Sequence, residues 1–302
     1  MVNANKPNNP KREHHVLPEL YLRGFVIKGD KPFIWTYKRG ESYNPGTGKI
    51  TNNPYKISVK AKRVRDFYAY PKKDGRKDYD TYENILESLE KPANPIFKKI
   101  RAFTPIGAEE KRTFALYIVQ MLRRVPAYRK NMKELLVKTA PNYVPRNPPK
   151  EIVENLSLEE IRQIAQEIAQ EDGVEIQSQL RSFTTAKDSI LIDKIFGMRW
   201  QFFIAPSGHP FLTGDNPVHF PEKLGLKHIK AELSFPISSK VTLVASWQMG
   251  RDENFVKATP EIVRKINRRI ASNASHEIYF CESLEWASKL LNRSEHEYHP
   301  IY

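Results

Sequence analysis

The chain has 302 residues, with 49 Lys and Arg against 35 Asp and Glu for a formal net charge of +14, and it is 40% hydrophobic and 28% charged. That composition excludes a disordered or membrane-embedded chain, and a single cysteine, Cys281, excludes an internal disulfide framework or a multi-cysteine metal cage. The longest apolar run, Phe114–Val119, is far shorter than the roughly 20 residues of a membrane-spanning helix, and the polar start MVNANKPNNPKR has no apolar signal core, so a soluble cytoplasmic protein without a membrane partner is expected.

Residues 1–13, rich in Asn, Pro and Lys, read as a disordered tail. Leu17–Phe25 predicts a short helix with Pro18 in its first turn. Phe33, Trp35 and Tyr37 fall on one face of a strand over 32–38. The NPGTG segment at 44–48 predicts a hairpin turn. Ile57, Val59 and Ala61 alternate with Ser58, Lys60 and Lys62, as in a half-buried strand.

Asp80 and Glu83 have capping-box spacing. Ile85, Leu86, Leu89, Ala93, Ile96, Phe97 and Ile100 then recur at helical spacing, with Pro92 and Pro95 splitting or kinking the helix. A second helix is predicted over 109–124, interrupted at Pro126 and resumed over 131–138. Four prolines between 141 and 149 mark a loop. Ser157 and Glu160 form another capping box before the stripe Leu158, Ile161, Ala165 and Ile168.

Strands are predicted again over 200–205, 210–213, 231–235 and 241–247. Thr259 caps a helix that opens on Pro260 and is lined by Ile262, Val263, Ile266 and Ile270. A strand over 277–281 and a helix over 284–291 close the chain. The order predicts an α+β fold, with mixed β-sheet elements at both ends and a helical middle. Residues 14–302 read as one domain, with a β-rich basic part 14–78, a helical part 79–197 and an α/β part 198–302.

The charge is concentrated. Residues 1–78 hold 18 Lys and Arg against 7 Asp and Glu, a balance of +11, and the other 224 hold 31 against 28, a balance of +3. Lys56, Lys60, Lys62, Arg63, Arg65, Lys72, Lys73, Arg76 and Lys77 are interleaved with Tyr55, Phe67, Tyr68 and Tyr70. Clustered cations attract phosphate by counterion release, and aromatic faces stack on unpaired bases. Lys60, Lys62, Arg63, Arg65, Lys72 and Lys73 are therefore candidate nucleic-acid contacts. The alternative is a solvated basic face with its aromatics in the core.

Several segments form one pattern. The chain opens with His14-His15-Val-Leu-Pro18-Glu-Leu-Tyr21-Leu22-Arg23-Gly-Phe25 and continues with Arg65-Asp-Phe67-Tyr68, then Glu83 and Glu90 on one helix. Arg124-Val-Pro126, Phe211-Leu-Thr-Gly-Asp215-Asn216-Pro217-Val, Phe235-Pro236-Ile-Ser238 and Asn267 complete it. In these residues the chain resembles the bacterial family catalogued as domain of unknown function 4238, over roughly 14–281. One departure is Gly214, where Ser before the Asp is more usual. The resemblance implies one α+β domain in a bacterial intracellular protein, and it implies no reaction.

The polar residues of that pattern are the candidate site. His14 or His15 can move protons or bind metal near neutral pH. Glu83, Glu87 and Glu90 share a helix face, where repelling carboxylates invite a metal or a counter-cation. Arg124 can grip phosphate or carboxylate, and it can equally neutralise the glutamates in a structural salt bridge or cover terminal helix carbonyls. Asp215 and Asn216 stand at a strand end as a metal ligand, a general base or simply turn formers. Asn267, on an apolar helix face, requires a hydrogen-bond partner. Arg264/Arg268 and Lys265/Arg269 read as two solvated cationic pairs.

Familiar motifs are missing: residues 46–50 lack the first Gly and the Ser/Thr of a phosphate loop, His276-Glu277 meets Phe280 where a zinc protease has its second His, and no Gly-x-Ser-x-Gly elbow occurs. The first expectation is thus a metal-dependent nuclease or other phosphoesterase. In it Glu83, Glu90 and Asp215 hold a divalent cation, with His14, His15, Arg124 and Asn216 beside them. The alternatives are a non-catalytic nucleic-acid-binding module and a protein-interaction domain.

Overall fold

The computed structural model describes residues 13–29, 32–40, 54–61, 64–72, 76–144, 155–171, 173–184, 190–221, 224–248, 254–292 and 301. Except for Glu13, the expected tail lies outside these residues, as do the turn at 44–48 and Lys62, Arg63 and Lys73.

The N-terminal quarter holds β1 (Glu13–His14), α1 (Glu19–Leu22) running into a 3-10 turn (Arg23–Phe25), β2 (Phe33–Lys38), β3 (Tyr55–Ser58), β4 (Val64–Arg65), β5 (Tyr70–Pro71) and β6 (Lys77–Asp78). Helices α2 (Thr81–Glu90), α3 (Ala93–Arg101), α4 (Ala108–Arg124), α5 (Pro126–Thr139), α6 (Leu158–Gln170), α7 (Val174–Thr184) and α8 (Ile190–Gly197) follow. The last part is β7 (Arg199–Ile204), β8 (Thr213–Gly214), β9 (Glu232–Ser238), β10 (Val241–Ser246), β11 (Asn254–Lys257), α9 (Pro260–Asn273), β12 (Glu277–Phe280) and α10 (Glu285–Asn292). The fold is α+β, with strands on both sides of a helical middle. Among the described residues no helix is long and apolar enough to cross a membrane.

Two four-stranded sheets organise it. The first has the order β11-β7-β10-β9, antiparallel except for the parallel pair β11/β7. Every residue of β9 and β10 is buried, including the polar Glu232, Ser234, Ser238, Thr242 and Ser246, so β9 (ELSFPIS) keeps an alternating pattern although both of its faces are covered. One side carries Trp200, Phe202, Phe235 and Leu243 into the main core with α1, α3, α4 and α8. Phe203 and Val244 point the other way, into a second core with α9, α10 and the second sheet. That sheet has the order β3-β2-β12-β8 and is antiparallel throughout. A third cluster joins Tyr68 to Tyr82, Leu86 and Leu89 of α2 and Phe183 of α7.

Local departures from the sequence reading have local causes. The strand expected to reach Ala61 ends at Ser58, and Val59–Ala61 is a 3-10 turn. The Ser58 hydroxyl accepts the Lys60 N–H at 3.3 Å, which competes with continuation of the strand. Pro92 separates α2 from α3, while Pro95 sits in the first turn of α3, where its missing N–H costs nothing. Asp80 makes no side-chain cap on α2. Asp78 does that work: its carboxylate accepts the N–H groups of Asp80 and Thr81 (3.1 and 2.9 Å) and the Thr81 hydroxyl (2.9 Å). The Ser157–Glu160 box is formed on both sides, at 3.2 and 2.7 Å.

Two arginines, the half-buried Arg101 and the buried Arg269, cross between elements. Arg101 donates to the carbonyls of Leu20, Tyr21 and Ile237, fastening α1 to β9. Gly24 lies under this clasp: a Cβ there would sit 2.5 Å from the Ile237 oxygen and 2.7 Å from the Arg101 guanidinium. Arg269 overturns its expected place on a solvated face. It is 3% exposed and pairs at 2.6 Å with Glu232, which is 0% exposed. Arg269 also donates to Ser234, and Glu232 accepts the Ile301 N–H.

Candidate functional site

His14, His15, Glu90 and Arg124 meet where β1 reaches the helices. The short pairing of β1 with β4 sets His14 opposite Val64 and buries its ring against Tyr68, 5.4 Å between centroids. Nδ1 accepts the Tyr68 backbone N–H at 3.1 Å, so the ring proton belongs on Nε2, 3.4 Å from the Tyr79 carbonyl. The His14 imidazole is thus held between two backbone groups.

Arg124 closes α4. It donates to the Glu90 carboxylate at 2.6 Å and to the His15 carbonyl at 2.8 Å, and its own carbonyl accepts the Tyr68 hydroxyl at 3.4 Å. Its side chain is 2% exposed and that of Glu90 24%. Burial works against the guanidinium charge, but the oxygens of Tyr68, Glu90 and Tyr117 outweigh it and raise the pKa, so Arg124 stays charged. The neighbouring Arg123 donates to the Ser182 carbonyl, tying α4 to α7. Glu83 is half-buried on α2, close enough to Tyr68 to add to the rise that burial imposes on the phenol. Glu87 is exposed and pairs with Lys91 at 3.3 Å.

Asp215 and Asn216 belong to a different corner, between β8, α9 and β12. The Asp215 carboxylate accepts three backbone N–H groups, from Ser275 and His276 at 2.7 Å and Glu277 at 3.2 Å. Burial raises its pKa; those three donors pull it back, and the Glu277 charge adds to the rise. The Asn216 and Val218 carbonyls accept both N–H groups of the Asn273 amide. Asn267 bonds the Leu212 N–H and the Pro210 carbonyl, each at 3.0 Å. Tyr21 meets Thr213 at 2.5 Å. At Gly214 a Cβ would lie 3.0 Å from both the Ala274 Cβ and the Glu277 carbonyl, so a Ser there would crowd the turn behind it.

The sequence candidates therefore form two separate groups with different partners. Among the described residues no three His, Cys, Asp or Glu side chains come together as a metal-holding group. Glu83, Glu90 and Asp215 do not make the expected three-carboxylate centre, because Glu90 is drawn to Arg124 and Asp215 to backbone N–H groups.

The basic stretch presents a different picture. Lys56, Lys60, Arg65, Lys72, Arg76 and Lys77 are all exposed. Lys56 lies 4.7 Å over the Trp35 ring, and Lys72 pairs with Asp78 at 3.1 Å. Burial opposes ionisation of Asp78, but the Thr81 N–H and hydroxyl, Lys72 and the Asp80 N–H together hold its pKa down to about 2. Of the interleaved aromatics, Tyr55 is exposed, Tyr68 is fully buried and stacked on Tyr82, and Phe67 is half-buried beneath Arg129 at 3.9 Å. Only Tyr55 of these three offers a face to solvent.

The sequence reading missed Glu277 and Tyr279. Their carboxylate and hydroxyl meet at 2.8 Å, and Tyr55 reaches the same carboxylate at 3.1 Å. Positions 277 and 279 share a face of a predicted strand, so half of this arrangement was readable; the partner from β3 was not.

These features define an α+β protein with buried polar clasps between distant segments and an exposed basic N-terminal quarter. Residues 13–283 match the family described as "Protein of unknown function (DUF4238)", and the chain belongs to that family. No curated protein and no solved structure matches it.

Proposed function

We propose that this protein is a non-catalytic nucleic-acid-binding module working through the basic stretch 56–77. The observation that carries the reading is a contrast in use. His14, Glu90, Arg124 and Asp215, the groups a phosphoesterase would need, are engaged by backbone and ion-pair partners. The six described cations of the stretch are all exposed to solvent, Lys72 while paired with Asp78 and Lys56 while lying over Trp35. Phosphate neutralised by such cations releases bound counterions, and affinity then falls steeply with salt. With Tyr68 in the core and Phe67 covered, contact to phosphate dominates over base stacking.

Fluorescence anisotropy of labelled 20-nucleotide RNA and DNA across a salt series tests this. Engagement of four phosphates gives a log–log salt slope of about −3 for a single strand. The triple variant Lys60→Glu, Arg65→Glu, Lys77→Glu should bind at least about tenfold more weakly, with a slope shallower by about 2. Asp215→Ala should bind as the unaltered chain does. Absence of binding, or affinity indifferent to salt and to the triple variant, refutes the reading.

A further inference from the structure

Phe103 stands just past the end of α3 with a φ of +56°. The helix closes there through the Phe103 N–H, which reaches the Ile100 carbonyl at 3.0 Å, and the Thr104 N–H, which reaches the Lys99 carbonyl at 2.9 Å. Glycine suits that left-handed position, and a bulky aromatic in it is a backbone outlier. Of the described non-glycine residues only Asp66 shares such a φ, and aspartate tolerates it. Packing accounts for only part of the ring. Phe103 meets Phe255 of β11 edge-on, with centroids 6.0 Å apart, and stays 40% exposed. Phe255 stacks in turn on Phe202 at 5.0 Å, which anchors the exposed ring to the main core. Exposed cations lie on both elements: Lys98 in the last turn of α3, and Lys257 two residues beyond Phe255 on the same face of β11.

We infer that the Phe103 ring is a stacking platform for one unpaired base, and that the protein therefore prefers single-stranded nucleic acid to duplex. The inference rests on the nucleic-acid reading and adds to it a contact outside the basic stretch. A residue kept in a disfavoured backbone conformation, where glycine would serve and the fold covers only part of the side chain, points to a use for the ring outside the fold. Stacking on an exposed ring needs no enclosing pocket and no hydrogen-bond partner, and every base offers a flat face to it. The bases of a duplex are already stacked on one another, so a duplex reaches the cations through phosphate alone. The ring and the basic stretch border the same helix. Arg101, two residues before Phe103, bonds the Leu20 and Tyr21 carbonyls of α1, and the turn that carries Lys60 packs against α1 as well.

The test compares the full chain with Phe103→Leu, which keeps an apolar side chain against Phe255 and loses the aromatic face, and with Phe103→Trp, which keeps the face. Each is titrated with a labelled 20-nucleotide single strand and with the corresponding duplex, by anisotropy across a salt series. One stacked base contributes about tenfold in affinity. Phe103→Leu should bind the single strand about tenfold more weakly, with the duplex affinity and both salt slopes unchanged, because stacking releases no counterions. Phe103→Trp should bind the single strand at least as well as the unaltered chain. If Phe103→Leu fails to fold, Phe103→Gly decides: glycine fits the left-handed backbone, so it should fold and show the same selective loss. Salt-dependent binding of the single strand that is equal in the unaltered chain and in the Leu or Gly variant overturns the inference and leaves the proposed function standing. An equal loss for single strand and duplex also overturns it, since the ring would then act only through the fold. Binding of neither nucleic acid by the unaltered chain removes the proposed function and the inference together.

Discussion

Replacing Arg124 by Met tests whether the β1–α2–α4 junction is a structural clasp. Methionine keeps much of the volume and removes the charge. Two charge-assisted hydrogen bonds disappear, to Glu90 at 2.6 Å and to the His15 carbonyl at 2.8 Å. Each contributes about 1.5–3 kcal/mol, and breaking a buried pair from one side costs about 3–5 kcal/mol. Glu90 keeps 24% of its side chain in water, so hydration recovers part of the loss and the expected cost is about 3 kcal/mol. In a chain of this length that lowers Tm by about 6 °C. Urea unfolding followed by tryptophan fluorescence measures it, and the Arg124→Met, Glu90→Gln double variant should recover about 1 kcal/mol, because the stranded carboxylate is then gone. An Arg124→Met midpoint within about 0.5 kcal/mol of the unaltered protein, in the scatter of ordinary surface changes, would refute the reasoning.

Asp215→Ala strands three backbone donors, of which the one on His276 faces solvent, so about 2–3 kcal/mol should be lost in the same urea assay with oligonucleotide affinity unchanged. Gly24→Ala forces a methyl into the Ile237 carbonyl and the Arg101 clasp and should cost about 2–3 kcal/mol, read as a drop in Tm. Asp78 holds a folded pKa of about 2 against about 3.9 when unfolded. Its carboxylate therefore stabilises fully above about pH 4, and that contribution is lost as the pH falls through 2. Unfolding free energies of Asp78→Asn and the unaltered chain, from urea titrations, should differ by about 1–2 kcal/mol at pH 6 and converge only below about pH 2.

Periodic features were the legible ones. The split at Pro92, the Ser157 box and the helix capped by Thr259 all depend on residues within a few positions of each other, and all are present. Strand β11 and helices α7 and α8 were not predicted. β11 has four residues and finds its partner in β7, some fifty positions earlier; α8 has eight and rests on α4. The candidate site was legible as a set of residues and illegible as a geometry. Nothing local distinguishes Arg124, bonded to a carbonyl 109 positions away, from a phosphate-gripping arginine. Arg269 was misplaced because its partner Glu232 arrives from strand β9, 37 positions earlier. Asp78 displaced Asp80 as the cap because the hydroxyl and both N–H groups of that turn converge two residues upstream.

The second sheet has a consequence for how the chain is made. Strand β2 is central, with β3 on one side and β12 on the other, and β12 begins 239 positions after β2 ends. During synthesis the β2–β3 pair therefore emerges long before the strand that covers its other side, and one row of backbone groups stays open to neighbours until β12 is out. Such late closure slows folding and exposes an edge able to pair with nascent copies. Chains halted before residue 277 should clump through β2, whereas chains that carry β12 hide it.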